Sequence, residues 1–358
     1  MHVIEYLRNN SLDSLYKEFN IVITHHDELP IYILNYNQIN SPKTHPIVME
    51  CRGLVLDRDY NVVARSFRRF FNYNEIPEDD KKFDWNNFSA RSKEDGSLIL
   101  LYYYSGAWRV NTRNSFGEGR LQYFTDQSWK SIVDGIVGAG YNELYKGFTY
   151  VCELCSLYNK VVRSYTVPKL YCLGVFSTEG EICYDKKHNF FSYPDEHMFS
   201  SITAVSDWIE KNSSIDPTFE GFVLKDINGM RLKVKSKSYY NLHKAKNNGN
   251  FSVDFIIESI LKNEVGEILV YFPEYKDLFE SAIRFVDGCI DKIYDLWETV
   301  KTIESQKDFA AAVLGNEFSC YLFSVRKSCV GLLSKDTIRN TILYSPGTII
   351  REYRKIWG

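Results

Sequence analysis

Lys93-Glu94-Asp95-Gly96-Ser97 sets an amine, a carboxylate and a glycine almost side by side. An unprotonated lysine amine can attack a phosphorus atom and carry the product covalently. Asp95 is close enough in sequence to orient or hydrogen-bond groups around that amine. Gly96 lets the backbone turn tightly beside a bulky ligand. Lys-x-Asp-Gly arises by chance in roughly one chain of this length in ten. A polar turn leading into a strand therefore stays open as a second reading until partners are found elsewhere.

A lysine nucleophile must shed a proton. With a reference pKa of ~10.4, about one amine in two thousand is free at neutral pH. Neighbouring cations would disfavour the ammonium and lower that pKa. Arg231-Leu232-Lys233-Val234-Lys235 supplies cations at alternate positions. In a strand, Arg231, Lys233 and Lys235 would share one face and could stabilise a transferring phosphoryl group. An exposed basic edge strand that resists aggregation is the alternative.

Two carboxylates sit in apolar, strand-like settings: Glu153 in Tyr150-Val151-Cys152-Glu153-Leu154 and Glu220 in Phe219-Glu220-Gly221-Phe222-Val223. A buried carboxylate needs a cation or hydrogen-bond donors. Holding magnesium, partly through water, is one outcome; a satisfied salt bridge is the other. Upstream, Glu50-Cys51-Arg52-Gly53 offers a guanidinium suited to phosphate or ribose oxygens. Arg69-Phe70-Phe71-Asn72-Tyr73-Asn74-Glu75 offers a cation and two rings that could flank a purine.

These residues need a scaffold of short strands. Residues 98–104 and 107–112 read as a hairpin across Ser105-Gly106. Residues 222–225 and 230–235 form a second hairpin across 226–229, and 51–56 and 62–67 a third across 57–61. Residues 150–154 and 170–176 are further strands, and 203–212 a short helix. The pattern predicts an antiparallel α+β domain rather than alternating β-α-β units. Near residue 243 the texture changes: 243–250 is polar and aperiodic, as a linker would be. Beyond it, Phe279, Ala282, Ile283, Val286, Ile290, Ile293, Trp297 and Val300 recur as one face of a long helix. The expected division is 1–245 and 246–358.

With 358 residues the chain suits two domains. Its net charge of −3 excludes a polycation, so nucleic-acid contact would need local positive charge. Such charge exists from Lys225 to Lys246, where seven Lys or Arg accompany the single acid Asp226. The eight cysteines lie in apolar or strand-like runs, which predicts buried thiols and a reducing, cytoplasmic setting. The first residues do not read as a signal peptide. The longest apolar run, 98–104, is too short to cross a bilayer.

Taken in order, Glu50 to Gly53, Arg69 to Asn72, Lys93 to Ser97, Glu153, Glu220 to Phe222 and Lys233 to Lys235 resemble the motifs of covalent nucleotidyltransferases, the superfamily of ligases and mRNA capping enzymes. Within it the chain resembles the phage RNA ligase 1 family, the tRNA-repairing type, over about residues 30–245. Asn74-Glu75, the Asn159 to Val162 stretch and the segment from Ile33 to Asn37 strengthen the likeness.

The resemblance implies an antiparallel-sheet adenylyltransferase domain followed by an all-helical RNA-specificity domain. It implies an ATP-dependent RNA ligase that joins 5′-phosphate and 3′-hydroxyl ends through lysyl-AMP and RNA-adenylate. Lys93 would carry AMP. Tyr36, Arg52, Arg69, Phe71 and Arg113 would lie in the nucleotide site, with Glu153, Lys233 and Lys235. Glu153 would contact the ribose or, with Glu220, hold magnesium, for which manganese can substitute, through water. Glu264 and Glu267 are the nearest match to an acidic pair that the family carries early in its C-terminal domain. Tyr239 matches a family tyrosine and would contact RNA. Implied partners are RNA, including cleaved tRNA, and a separate end-healing kinase or phosphatase, in the cytoplasm (of the host, if phage-encoded). Arg69 and Arg113 stand where the family usually has lysine, which changes geometry but not charge. Two other functions compete. One is a DNA ligase or capping-type enzyme, which the helical texture after residue 250 disfavours. The other is an inactive RNA-binding relative, which has no use for a nucleophile.

Overall fold

The computed structural model describes residues 1–37, 41–119, 127–159, 165–239, 251–262, 264–328 and 333–357. The expected linker at 243–250, residues 160–162 of the familiar 159–162 stretch and Cys329 lie outside them. The chain divides into two compact units, Met1–Tyr239 and Tyr240–Gly358.

The first unit is built on three sheets. The first has strand order β1 (Ile21–His25), β2 (Ile31–Tyr36), β3 (Arg52–Asp57), β4 (Val62–Ala64), all antiparallel. The second runs β11 (Glu181–Ile182), β10 (Lys169–Phe176), β9 (Thr149–Cys155), β7 (Ser97–Tyr104), β8 (Ala107–Asn111). The third runs β12 (Glu196–His197), β6 (Phe88–Ser92), β13 (Gly221–Asp226), β14 (Arg231–Lys235), β5 (Phe71–Asn72). Its last pair, β14 with β5, is parallel, which the sequence reading did not anticipate.

Period-two alternation divides the core. On β2, Ile31 and Ile33 pack with Val55, Leu100, Tyr102, Val151 and Phe176, so the first two sheets meet through that layer. Tyr32, Leu34 and Tyr36 belong to the opposite cluster, under the helices His2–Leu7, Leu12–Phe19 and Pro46–Glu50. On β9, Tyr150, Cys152 and Leu154 pack against the helix Trp129–Val137. Glu153, alternate to them, continues the stripe begun by Val151. Phe222 and Leu224 of β13 pack with Val205 and Ile209 of the helix Ile202–Ser213. Burying each such side chain contributes about 1.5–3 kcal/mol, and these layers fix the strands that carry the polar groups below.

The second unit is helical. The helix Lys276–Val300 buries Phe279, Ala282, Val286, Ile290, Ile293 and Val300, with Ile283 and Trp297 partly buried against the same cluster. Among the described residues no helix is long and apolar enough to cross a membrane. The cysteine expectation needs correction. Cys51, Cys152, Cys155, Cys172 and Cys289 are buried, but Cys183 and Cys320 are exposed. Cys183 directly follows the two-residue strand β11 at the edge of its sheet, where little covers it.

Candidate active site

Lys93 follows β6 directly, and its backbone N–H donates to the Gly221 carbonyl at 2.8 Å. That bond sets Lys93 beside Glu220. The Lys93 Nζ donates to Glu220 Oε2 at 2.7 Å, and Lys235 Nζ lies 3.4 Å from Glu220 Oε1. Glu220 is 6% exposed, Lys235 9% and Lys93 25%, so the nucleophile candidate is the accessible member. Register explains the meeting: Gly221 lies opposite Lys235 on the β13–β14 ladder. Gly221 has φ 136°, and a Cβ there would collide with the Val234 carbonyl oxygen. Only glycine lets the strand begin this close to its partner.

The electrostatics differ from the sequence expectation. Burial and Lys235 act to lower the Lys93 pKa, but Glu220 and Glu153 outweigh them, and the net shift is upward. The isolated protein therefore holds Lys93 as an ammonium. Burial pushes the Glu153 carboxyl up to about 7; Glu220 and Asp95 add to the rise, while Lys93 and Arg52 oppose it.

The Lys93 turn is packed from beneath. A Cβ on Gly96 would collide with the Leu154 carbonyl oxygen of β9. Asn159 donates to the Ser97 hydroxyl at 2.9 Å and to the Leu154 carbonyl at 2.6 Å, tying the turn to the end of β9. Asp95 is buried and accepts from the Tyr239 hydroxyl at 3.2 Å. Tyr239, expected to contact RNA, is buried in this structure and reaches the Lys93 turn.

A second cluster gathers the upstream cations. The Tyr36 hydroxyl at the end of β2 accepts from Arg69 Nη1 at 2.8 Å and from Arg113 Nη1 at 3.4 Å. Arg69 also lies 5.0 Å from the centres of the Tyr36 and Phe71 rings and 3.8 Å from Glu75. Arg52, at the start of β3, and Lys233 lie 6.0 and 5.7 Å from the Phe70 ring. Parallel pairing of Lys233 with Asn72 brings β14 beside this segment. Glu75 accepts from the Asn72 backbone at 2.9 Å and its side chain at 2.7 Å, which holds the turn after β5. Phe71 is 2% exposed beneath Arg69, whereas Phe70 is the partly exposed ring near both other cations. Two buried donors, Arg52 Nη1 and Arg69 Nε, meet no acceptor. Such donors suit a multiply charged anion.

Two residues of the predicted motifs are held elsewhere in the first unit. Arg231 shares a face with Lys233 and Lys235 but is held by Glu181 on β11, at 2.6 and 2.7 Å. Glu50 accepts from the Val3 backbone at 3.0 Å and anchors the N-terminal helix. Glu264 and Glu267 belong to the second unit; Glu264 is exposed just before the helix Val265–Tyr271, and the Glu267 side chain is outside the described residues. Among the described residues no three His, Cys, Asp or Glu side chains converge as a metal cage. Glu153 and Glu220 alone fit an ion that keeps most of its waters. Sequence reading missed the Tyr239–Asp95 and Asn159–Ser97 bonds. Their residues are 144 and 62 positions apart, and no local pattern couples them.

Comparison with known proteins agrees with the motif order. A family model described as RNA ligase matches residues 50–248. The chain is 31% identical over 308 residues to a protein of Autographa californica nuclear polyhedrosis virus named as a bifunctional polynucleotide kinase/RNA ligase; the match covers 79% of this chain and 43% of that protein. It is 26% identical over 223 residues to a protein named as an RNA ligase from Thermovibrio ammonificans, covering 58% and 57%. The chain thus spans about half the length of the curated relatives it matches. An archaeal ATP-dependent RNA ligase structure shares the fold at a TM-score of 0.50 and 11% identity, covering 94% of this chain and 95% of that one. The chain belongs to the RNA ligase family, in its phage RNA ligase 1 branch.

Proposed function

We propose that this protein is an ATP-dependent RNA ligase. The observation that carries the reading is the Lys93–Glu220–Lys235 group, 2.7 and 3.4 Å across, in a chain that also gathers Arg52, Arg69, Arg113 and Lys233 around Tyr36 and Phe70. A binding protein has no need of an accessible amine set against a buried carboxylate.

Three transfers follow. The Lys93 ammonium first gives up a proton to solvent; the free amine then attacks the α-phosphorus of ATP, the bond to pyrophosphate breaks, and AMP stays on the nitrogen. AMP then passes to the 5′-phosphate of an RNA. A 3′-hydroxyl attacks that activated phosphate, a phosphodiester forms and AMP leaves. Lys233 and Lys235 would hold phosphate oxygens during the first transfer, with Arg52, Arg69 and Arg113 on the outer phosphates or the RNA end. Phe70 or Phe71 would lie against the base. Glu153 and Glu220 would hold magnesium, or manganese, through water, and the ion supplies neutralisation of phosphate charge. The residues fit that arrangement because both carboxylates already border Lys93. Glu264 and Glu267 are retained as further carboxylates for the same ion, and Tyr239 as a residue that acts on the RNA steps.

Residues 1–245 would form the adenylyltransferase domain and 246–358 the RNA-specificity domain, acting on RNA ends such as those of cleaved tRNA in the cytoplasm. The baculovirus relative is named for both kinase and ligase, which supports an end-healing kinase working beside this ligase. The test is incubation with α-labelled ATP and magnesium, followed by mapping of the label. Lys93 should carry one AMP through an acid-labile, base-stable bond, and Lys93→Ala should carry none. Label at another residue, or none on the wild type, would overturn the reading.

A further inference from the structure

Tyr36 sits among cations with nowhere to send its proton. Its oxygen accepts from Arg69 at 2.8 Å and Arg113 at 3.4 Å. Among the described residues no acceptor lies within hydrogen-bonding distance of that hydroxyl. A neutral phenol would keep an unsatisfied donor in a nearly closed site, 2% exposed, while facing two guanidinium groups. Four cations act on it: Arg52 from β3, Arg69 from the segment before β5, Arg113 from the loop after β8 and Lys233 from β14. The carboxylates nearby, Glu75 and Glu153, face Arg69 and Arg52 rather than the phenol.

We propose that Tyr36 stands as a phenolate in the unliganded protein, occupying the arginine cluster as a placeholder anion, and takes up one proton when a polyphosphate claims those arginines. The polyphosphate half rests on the reading of this cluster as a nucleotide site; the phenolate half rests on the geometry. The exchange balances: the phenolate oxygen gains a proton from solvent, and the arginines trade one anion for another. No bond to carbon or phosphorus changes. Burial alone would raise the phenol, but Arg113, Arg69, Arg52 and Lys233 outweigh it and bring it to about 7. Two functions follow. The cations do not repel one another in the empty site, and polyphosphate affinity falls as pH rises above 7, because each proton taken up costs about tenfold per pH unit.

The test is a tyrosinate absorbance titration of the full chain, read as wild type minus Tyr36→Phe, with inorganic pyrophosphate as the probe. One tyrosinate should appear with a midpoint near 7, far below the usual ~10, and saturating pyrophosphate at about pH 8 should abolish it. Pyrophosphate affinity should fall with pH more steeply in wild type than in Tyr36→Phe, by up to about tenfold per unit. If the variant does not fold, a ring-carbon resonance in ¹³C-tyrosine wild type reads the same titration. Absence of any tyrosine titrating below about pH 9 overturns the phenolate. A tyrosinate that ignores saturating pyrophosphate overturns the placeholder role. Lys93 labelling of the same preparation is read separately, so failure of the ligase reading is distinguishable from either.

Discussion

The two ends of the β13–β14 hairpin each hold a glutamate between two cations, and they do opposite things. At the far end Glu181 receives both nitrogen–oxygen contacts of Arg231, and Lys225 lies 3.0 Å away. The Arg231 guanidinium also rests 4.4 Å from the Phe67 ring, two residues before Arg69. At the near end Glu220 receives Lys93 and Lys235. Arg231 Nη2 donates to both Glu181 oxygens while Nη1 donates to the Gly229 carbonyl at 3.2 Å. A guanidinium never deprotonates, so the far end is a clamp between the second and third sheets. An amine is a point donor that can lose its proton, so the near end can be undone. Chemistry needs the pair that can let go.

Breaking the near end should have the largest effect. Glu220→Ala leaves Lys93 and Lys235 without the carboxylate that joins them, and lysine charging should fall on the order of 10²–10³-fold. A labelling time course checks it, and unchanged charging would show that Glu220 is only a salt-bridge partner. Next comes Lys235→Ala. Charging from ATP should drop about 10²-fold, while sealing of pre-adenylylated RNA should fall far less; equal relative losses would remove the distinction between the steps. Smaller again is a shift in reactivity. Glu220→Gln removes the main cause of the raised Lys93 pKa and leaves Glu153 alone to oppose burial and Lys235, which lower it. The amine is reactive only when deprotonated, so the alkaline rise in its competitive acetylation, read by mass spectrometry, should move to lower pH. A rise at unchanged pH would mean that Glu220 does not control the proton. The smallest effect belongs to the far end. Glu181→Gln should cost about 1–3 kcal/mol of stability in a denaturant titration and leave Lys93 charging within a few-fold. A loss as large as that of Glu220→Ala would make the clamp part of the chemistry.

What was legible in the sequence follows this contrast. Lys93 to Ser97, Glu220 with Gly221, and the alternation of Lys233 and Lys235 are local patterns, and each marks a member of the group that meets in the fold. The hairpin at residues 98–112 and the long helix were legible for the same reason, since period two and period 3.6 are written in neighbouring residues. The partner of Arg231 was not, because Glu181 is 50 residues away and lies on another sheet. Nor was the upward shift of Lys93: the cations were visible as a string, but the distance to Glu220 was set by a glycine-permitted approach of two strands. The burial of Tyr239 and Phe71 was hidden similarly, since an aromatic residue reads alike whether it stacks on a ligand or packs under a neighbour. The helices His2–Leu7 and Leu12–Phe19 are short, and their packing against β2 is a tertiary matter.

The parallel pairing of β14 with β5 also sets a timetable. Phe71 and Asn72 meet Leu232 and Lys233 across some 160 residues of chain. At roughly 5–20 residues per second, a ribosome releases β14 about ten to thirty seconds after β5. Throughout that interval the cation cluster lacks Lys233, and Lys93 lacks Lys235 and, until about the last dozen residues, Glu220. A truncated or stalled product ending anywhere before residue 220 would hold the reactive lysine without the groups proposed to charge it. The order of synthesis would then make AMP loading a mark of a nearly finished first unit, readable by labelling chains arrested at successive lengths.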